Sequence, residues 1–216
     1  MFTHQTAKAF YDRFGSWVDT QAFYEDPAID ELVAHADFHA AQHVFELGLG
    51  TGRLAERLLR EHLSDEARYT GIDISTTMVS LARARLAKYG SRVEVMPSDA
   101  GPVCPLAASS VDRIVSTYVL DLLPEPDISD FLKDCARALS PEGRVCLVGI
   151  TYGETLGSRL VTKAWQALFR ASPHLVGGCR PIRLQPFIAE AGLRVLHCRV
   201  VSSFAIASEV LVAAPA

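Results

Sequence analysis

No run of 18 apolar residues occurs in the 216-residue sequence, so it contains no candidate membrane-spanning helix. The opening segment, MFTHQTAKAFYDRF, interrupts its apolar residues with charged ones, whereas a secretory signal peptide needs an unbroken apolar region. The sequence therefore predicts a cytoplasmic protein without integral membrane association.

The sequence also lacks an excess of basic residues. Lysine and arginine together number 21, against 25 aspartates and glutamates, which gives a formal net charge of −4. Because a nucleic-acid partner needs a basic face to neutralise its phosphates, we predict a small-molecule partner and no nucleic acid. The protein is expected to be a monomer or a homodimer.

Paired cysteines are missing as well. The five cysteines are odd in number and include no C-x-x-C pair, so no disulfide framework is predicted and the thiols are interpreted as reduced and mostly structural. Cys179 stands beside Arg180 in a glycine-rich loop, where a nucleophile or a soft-metal ligand is conceivable. With no partner residue identifiable in the sequence, a structural or pocket-lining role is favoured.

From residue 43 onward, short apolar strands alternate with amphipathic helices, which is typical of a parallel α/β sheet in a single domain. The sequence predicts strands at 43–48, 68–73, 92–97, 111–117 and 145–150. It predicts helices after the glycines at 48–52, from a cap at Thr76 or Thr77, and over 127–139. The composition of residues 140–144, SPEGR, predicts a turn.

The pattern changes after residue 150. Residues 151–182 are interpreted as an insertion with one amphipathic helix, whose apolar residues include Trp165 and Leu168, followed by the Gly/Pro-rich SPHLVGGCRPI. Residues 183–216 hold a short helix and two strands joined at Ser202-Ser203. So short a link requires an antiparallel hairpin, because a parallel return needs a crossover. Residues 1–42 form a mainly helical lead-in to the 43–150 core.

The most informative segment is ELGLGTG, in which Gly48, Gly50 and Gly52 follow a strand and precede a helix. A dinucleotide fold prefers G-x-G-x-x-G, but Arg53 stands where its third glycine belongs. Three acids surround the loop in the predicted fold. Glu46 is placed to repel a pyrophosphate and attract an ammonium group, Asp73 to bind a ribose, and Asp99 to face an adenine. Together they predict a ligand with a ribose, an adenine and a positive charge, and no phosphate.

Taken in order, the motifs ELGLGTG, GIDIS followed by Met78, PSDA, VDRIVSTYVLDLLP and LSPEGRV resemble those of the class I S-adenosylmethionine-dependent methyltransferases, nearest to the ubiquinone- and menaquinone-biosynthesis type. The resemblance covers residues 43–150. It implies a Rossmann-like, seven-stranded, mostly parallel sheet with an antiparallel last strand and helices on both faces. It also implies in-line methyl transfer from S-adenosylmethionine to an N, O, S or C nucleophile of a small molecule. The candidate cofactor-binding residues are Tyr11, Glu46, Gly48, Gly50, Gly52, Asp73, Ile74, Met78, Ser98, Asp99, Ala100 and Thr117.

The methyl acceptor is expected beside the end of the fourth strand, where such sheets bind ligands. The candidate catalytic residues are Tyr118, Asp121 and His174, with none ranked as the general base. The candidate substrate-binding residues are Trp17, Tyr24, Tyr152, Trp165 and Arg180. Arg180 either clamps an acceptor carboxylate or phosphate or ties its own loop to a nearby carboxylate.

Two other functions stay open at this stage. A nicotinamide-dependent reductase is disfavoured by the glycine spacing and by Glu46. A non-catalytic S-adenosylmethionine-binding module is disfavoured by the aromatic-rich lead-in and the 151–182 insertion, which predict an acceptor pocket.

The lead-in carries an aromatic stripe, because Phe10, Phe14 and Trp17 fall at helical spacing and Tyr11 follows Phe10. The segment YDRFGSWVD resembles the tyrosine-bearing segment that covers the cofactor in the quinone-type enzymes. Residues 1–30 are therefore predicted to form a mobile lid over both ligands; the alternative is a stripe that packs as ordinary core.

Three histidines recur every four residues, His35, His39 and His43, as metal ligands on a single helix do. His43 begins the first predicted strand, however, so one helix cannot carry all three. No metal site is predicted.

Overall fold

The computed structural model describes residues 4–15, 20–98 and 104–216. Its centre is one seven-stranded sheet with the order β3-β2-β1-β4-β5-β7-β6. β1 to β5 run parallel, while β7 is antiparallel to both β5 and β6. The strands are β1 His43–Leu47, β2 Arg68–Asp73, β3 Val93–Pro97, β4 Val111–Thr117, β5 Leu139–Ile150, β6 Leu193–Ser203 and β7 Ile206–Pro215.

Helices cover both faces of this sheet, and two buried apolar clusters, one on each side, form the core. The helices are α1 His4–Phe14, α2 Ala22–Ala36, α3 Arg53–Glu61, α4 Thr76–Leu86, α5 Glu125–Ala138, α6 Leu156–Ala171 and α7 Gln185–Glu190. The bounds of β1 to β4 follow the predicted ones closely, because each of these strands is a short apolar run between polar turns, whereas β5 begins at Leu139, six residues before the predicted start. The predicted fold class is confirmed.

Three local predictions are wrong in detail. α4 is capped by Ser75, whose hydroxyl accepts from the backbone N–H of Met78, and not by Thr76 or Thr77. Residues 140–144 lie inside β5, where the register against β4 shifts and leaves a bulge, so this composition marks an irregularity and not a turn. The β6–β7 turn is at Phe204 and Ala205, both with positive φ, and not at Ser202-Ser203.

The insertion helix is also less buried than its pattern predicts. Leu168, counted among its apolar residues, is 47% exposed, and Leu156 and Leu160 are exposed further, whereas Ser158 and Thr162 are buried. Thr155 and Ser158 form a reciprocal capping box that accounts for the buried serine. Among the described residues, no helix combines the length and apolarity that a bilayer crossing requires.

The lead-in contains two helices with different packing. α2 buries Ala28, Ile29, Leu32 and Ala36 in the core. Its C-terminal end is held by the buried Arg113 of β4, whose Nε donates to the carbonyl oxygen of Ala36 at 2.7 Å. α2 therefore packs as part of the core from Ala28 onward, and the mobile lid over residues 1–30 stays a prediction.

Candidate functional site

The glycine loop connects β1 to α3, and its three glycines all have positive φ. A Cβ on Gly48 comes within 2.2 Å of Val119 Cγ2, and one on Gly52 within 3.1 Å of Leu86, so both glycines are needed for packing. Gly50 differs, because no heavy atom of the described residues lies within 4 Å of the position its Cβ would take. Gly50 is thus the point where the loop backbone faces open space at the carboxyl edge of the sheet.

Asp73 ends β2 next to this loop. Its Oδ2 accepts from the backbone N–H of Gly50 and its Oδ1 from that of Ser75, both at 2.8 Å. A carboxylate has about four acceptor positions, so two remain for hydroxyl donors. Burial raises the pKa of Asp73, and the two backbone donors oppose this shift. The two backbone donors thus orient the Asp73 carboxylate, and the remaining acceptor positions are enough to bind the two hydroxyls of a diol.

Glu46 lies in β1, two residues before the loop, and is 1% exposed. Its Oε2 accepts from the hydroxyl of Tyr69 at 2.6 Å. Burial raises its pKa to about 8, although the tyrosine opposes the shift. Its predicted contact with an ammonium group stays a prediction, and a bound cation would favour the charged carboxylate.

Helix α1 docks on the turn after Asp73. Asp12 Oδ1 accepts from the Ser75 hydroxyl at 2.6 Å and from the backbone N–H of Thr77 at 3.2 Å. Lys8 Nζ donates to the carbonyl oxygen of Ile74 at 2.9 Å. These contacts place the first helix beside the predicted ribose site. Neither Lys8 nor Asp12 was singled out from the sequence, because no local motif links a helical residue to a turn more than 60 positions away.

Asp121 follows β4 and is fully buried. Its Oδ2 accepts from the backbone N–H of Ile150 at 3.0 Å, while Oδ1 makes no hydrogen bond to another described residue. Burial raises its pKa to about 6, against the opposing effects of the backbone donor and Arg180. A buried carboxylate oxygen without a partner is costly, and such groups concentrate at functional sites.

The 151–182 insertion adds a second wall around Asp121. Both the backbone N–H and the guanidinium of Arg180 donate to the Asp121 carbonyl oxygen, at 3.0 and 3.2 Å. Trp165 Nε1 donates to the carbonyl oxygen of Cys179 at 2.9 Å, which ties α6 to the same loop. Burial, followed by the charge of Asp121, raises the pKa of the Cys179 thiol. Arg180 therefore holds its own loop against Asp121.

Aromatic side chains complete this region. Tyr24 and Tyr118 pack edge to face with their ring centroids 5.9 Å apart, and the Tyr118 hydroxyl lies 2.9 Å from Ser208 Oγ. Burial raises the pKa of Tyr11 first of all, and the charges of Cys179 and Asp121 raise it further. A buried phenol of this kind favours its protonated form, and the catalytic role predicted for Tyr118 stays a prediction.

Glu25 was missed by the sequence analysis, since a lone acid in a helix has no diagnostic spacing. Burial raises its pKa to about 7, although Arg53 opposes the shift. Arg53 Nη2 lies 3.4 Å from Glu25, and Arg53 Nη1 is 2.5 Å from Asp26. The arginine in place of a third glycine thus ties the start of α3 to the start of α2.

The remaining predicted residues divide into three groups. Met78 and Ser98 are buried and Thr117 is partly buried at the end of β4. Tyr152 is 39% exposed with Arg183 over its ring, on the outer surface. Outside the described residues lie Trp17, Asp99, Ala100 and the side chain of His174.

Comparison with known proteins relates the chain to a sequence family. Residues 44–143 match the sequence family described as a methyltransferase domain. That segment begins at β1 and includes the glycine loop, Asp73 and Asp121. Over this segment the chain resembles the class I S-adenosylmethionine-dependent methyltransferases in sequence, and its fold is that of solved methyltransferases. The family resemblance stated from the motifs is confirmed.

Curated relatives of this methyltransferase domain have various names. The chain is 32% identical over 106 residues to a polyamine aminopropyltransferase of Chromobacterium violaceum, covering 47% of this chain and 40% of that protein. It is 26% identical to the O-methyltransferase resE of Aspergillus sclerotiorum, covering 88% and 76%. A ubiquinone biosynthesis O-methyltransferase of Aromatoleum aromaticum is 26% identical, covering 71% and 64%. The chain thus spans less than two thirds of two of these relatives.

Among solved structures, this methyltransferase fold superposes with a TM-score of 0.72 on a methyltransferase bound to the Haloferax volcanii Trm112 methyltransferase activator. The similarity covers 95% of this chain and 98% of that one at 20% identity, which supports the fold and not a shared substrate.

Proposed function

We propose that this protein transfers a methyl group from S-adenosylmethionine to a hydroxyl-bearing small molecule by in-line displacement. One observation carries the proposal most directly. The Asp73 carboxylate, oriented by two backbone donors and with acceptor capacity to spare, stands beside the open side of Gly50, within the matched family segment.

The cofactor arrangement follows from this placement. Asp73 accepts the two ribose hydroxyls, and the Gly50 backbone approaches the methionine portion without steric obstruction. Buried carboxylates line the region, including Glu46 and Asp121. Asp121 is mostly ionised at neutral pH, and a bound cation favours ionisation of Glu46 as well, so both acids suit a ligand that carries a sulfonium and an ammonium group. The predicted adenine partners, Asp99 and Ala100, belong to this proposal as sequence predictions.

Asp121 is the proposed general base. A hydroxyl acceptor must lose its proton as the new C–O bond forms, and a carboxylate with a pKa near 6 is mostly ionised at neutral pH. Its Oδ1, which has no hydrogen-bond partner among residues 4–15, 20–98 and 104–216, supplies the acceptor position for that proton. Tyr11, Tyr24 and Tyr118 provide the aromatic walls that exclude water from the transfer.

Two further features support a small acceptor. The formal charge of −4 and the buried acids oppose binding of a polyanion. Two of the relatives named above are O-methyltransferases. Methyl transfer to an unidentified acceptor is detectable as a 14-mass-unit gain after incubating the protein with a metabolite extract and S-adenosylmethionine, roughly the mass of one CH₂.

The competing functions are separated by two measurements. A nicotinamide-dependent reductase binds NAD(P)H in preference to S-adenosylmethionine, which equilibrium binding to both cofactors tests. A non-catalytic module binds S-adenosylmethionine but methylates nothing in the extract, with S-adenosylhomocysteine never accumulating.

Asp73→Ala is expected to weaken S-adenosylmethionine binding by about 1–3 kcal/mol, the usual cost of leaving polar partners unpaired. Isothermal titration calorimetry measures the change in affinity. Asp65→Ala removes a carboxylate that is fully exposed, and it serves as the matched control with unchanged affinity. Unaltered binding by a folded Asp73→Ala protein is incompatible with the ribose assignment.

Helix α1 is expected to act as the lid. Its contacts to the fold include the polar ones made by Lys8 and Asp12 at the turn beside the cofactor site. Bound S-adenosylhomocysteine should therefore slow amide hydrogen exchange in α1 more than in α2, whose core contacts exist without ligand. Asp12→Ala should reduce that ligand-dependent slowing. Equal exchange in α1 with and without ligand would identify a fixed structural helix.

A further inference from the structure

A cluster of metal-ligating side chains lies on the opposite part of α2 from Tyr24 and Glu25. It combines Glu31 and His35, one turn apart on α2, with His197 of the edge strand β6. One ligand atom from each residue lies within 4.8 Å of the others. His35 also belongs to the histidine pattern of the sequence, from which no metal site was predicted, but its neighbours in the fold are different residues.

The two histidines that share the four-residue spacing with His35 contact other residues. Both ring nitrogens of His43 have partners, the Ser110 carbonyl oxygen at 3.2 Å and Thr70 Oγ1 at 3.0 Å. His39 is 84% exposed and lies beside Asp37. In the fold, the neighbours of His35 are therefore not His39 and His43. They are Glu31, one turn earlier on the same helix, and His197, which lies 162 residues further along the chain (35 to 197).

The distances within the cluster suit one small cation. His197 Nε2 is 2.9 Å from Glu31 Oε1, and the candidate ligand atoms of the three residues all lie within 4.8 Å of one another. Ligands about 2.0–2.2 Å from a tetrahedral zinc ion are roughly 3.3–3.6 Å apart. His197 Nε2 is buried and has no hydrogen-bond partner among the described residues, because its short contact with Glu31 lacks hydrogen-bond geometry.

The surroundings keep donor atoms available. His35 Nδ1 donates to the Glu31 backbone carbonyl at 2.9 Å, a contact that metal-bound histidines commonly make through their second nitrogen. Arg199 pairs with Glu31 Oε2 and leaves Oε1 to face the rings. The two rings stack in near-parallel planes 3.6 Å apart, so coordination requires one to turn, and the side chain of His35, 42% exposed, has room to do so.

We infer that Glu31, His35 and His197 form a surface site for a divalent transition-metal ion of the zinc type, with water completing the shell. Two imidazoles and one carboxylate are the ligand chemistry that Zn²⁺ accepts. Such an ion links α2 to the edge of the sheet, independently of methyl transfer.

The test is a titration of chelator-stripped, full-length protein with ZnCl₂ and, for its visible absorption, CoCl₂. We expect one saturable equivalent and a raised thermal midpoint. His197→Gln and the more exposed His35→Gln should each lower affinity by more than the roughly 10–100-fold that loss of an outer partner costs. His39→Gln and Cys198→Ser are the matched controls, and both should bind as the unmodified protein does.

Absence of saturable binding overturns the inference. Binding that persists in both His197→Gln and His35→Gln, or that is lost in Cys198→Ser instead, places the ion elsewhere and also overturns it. Thermal midpoints of the metal-free variants separate loss of the site from loss of the fold.

Discussion

Gly50→Val is expected to lower the affinity for S-adenosylmethionine by roughly 100-fold or more while the fold persists. The new side chain projects into the open space that the proposed ligand occupies, and it displaces the ligand from Asp73, a contact worth about 1–3 kcal/mol by itself. A β-branched residue at φ of +56° also strains the loop. Calorimetry measures the affinity, and circular dichroism reports the fold.

Gly90→Val is the matched control for that strain. Gly90 has a φ of +57° and an equally open Cβ position, but it lies between α4 and β3. The control should lose stability and keep its cofactor affinity. Comparable weakening in both variants would mean that general destabilisation, and not occupation of the ligand space, explains the effect at Gly50.

Asp121→Asn is expected to reduce turnover by roughly 10²–10⁴-fold, the range attributed to general acid–base catalysis. Asparagine is nearly isosteric and its oxygen still accepts from the Ile150 backbone N–H, so the loop and cofactor affinity should be preserved. What is lost is the basic oxygen. Methyl transfer from labelled S-adenosylmethionine to the acceptor found in the extract measures the effect.

The proposed role of Asp121 also predicts the direction in which activity changes with pH. Asp121 acts as a base only when ionised, so kcat/KM of the unmodified protein should rise with pH through about 6 and then level off. The inflection in kcat should lie lower, because the bound sulfonium favours the carboxylate. The inflection near 6 should disappear in Asp121→Asn.

Asp112→Asn provides the control, since Asp112 also accepts backbone N–H bonds, from Gln42 and His43, but at the start of β4. Its turnover should change only as far as its stability does. A folded Asp121→Asn protein with full turnover would remove Asp121 from the mechanism and leave positioning as the source of catalysis.

Much of the site could be predicted because its signals are local. Asp73 ends an apolar strand, and Gly50 lies in a short strand-to-helix turn, so neighbouring residues alone place both at the carboxyl edge of a parallel sheet. The steric requirement at Gly48 has no such local signal, because Val119, 71 positions away, is what excludes a side chain there; its predicted cofactor contact stays a prediction.

Other contacts of the site have no local signal. Asp12 binds Ser75, the charge of Asp121 acts on Glu25, and Arg180, although singled out from its loop, binds the Asp121 backbone, each across a long sequence separation. Their positions depend on how helices and loops pack over the sheet. The four-residue histidine spacing likewise did not predict that His35 lies beside His197 in the fold.

By itself, the sequence determined the fold class, the family resemblance and the position of the glycine loop, because periodic burial and short motifs are encoded by adjacent residues. Only the tertiary structure decided which helix docks beside Asp73, which carboxylate oxygen near the insertion is buried with no partner in the described part of the chain, and which side chains meet at Glu31. The physical reason is that these contacts depend on the packing of segments far apart in the chain, where no spacing rule specifies which surfaces meet.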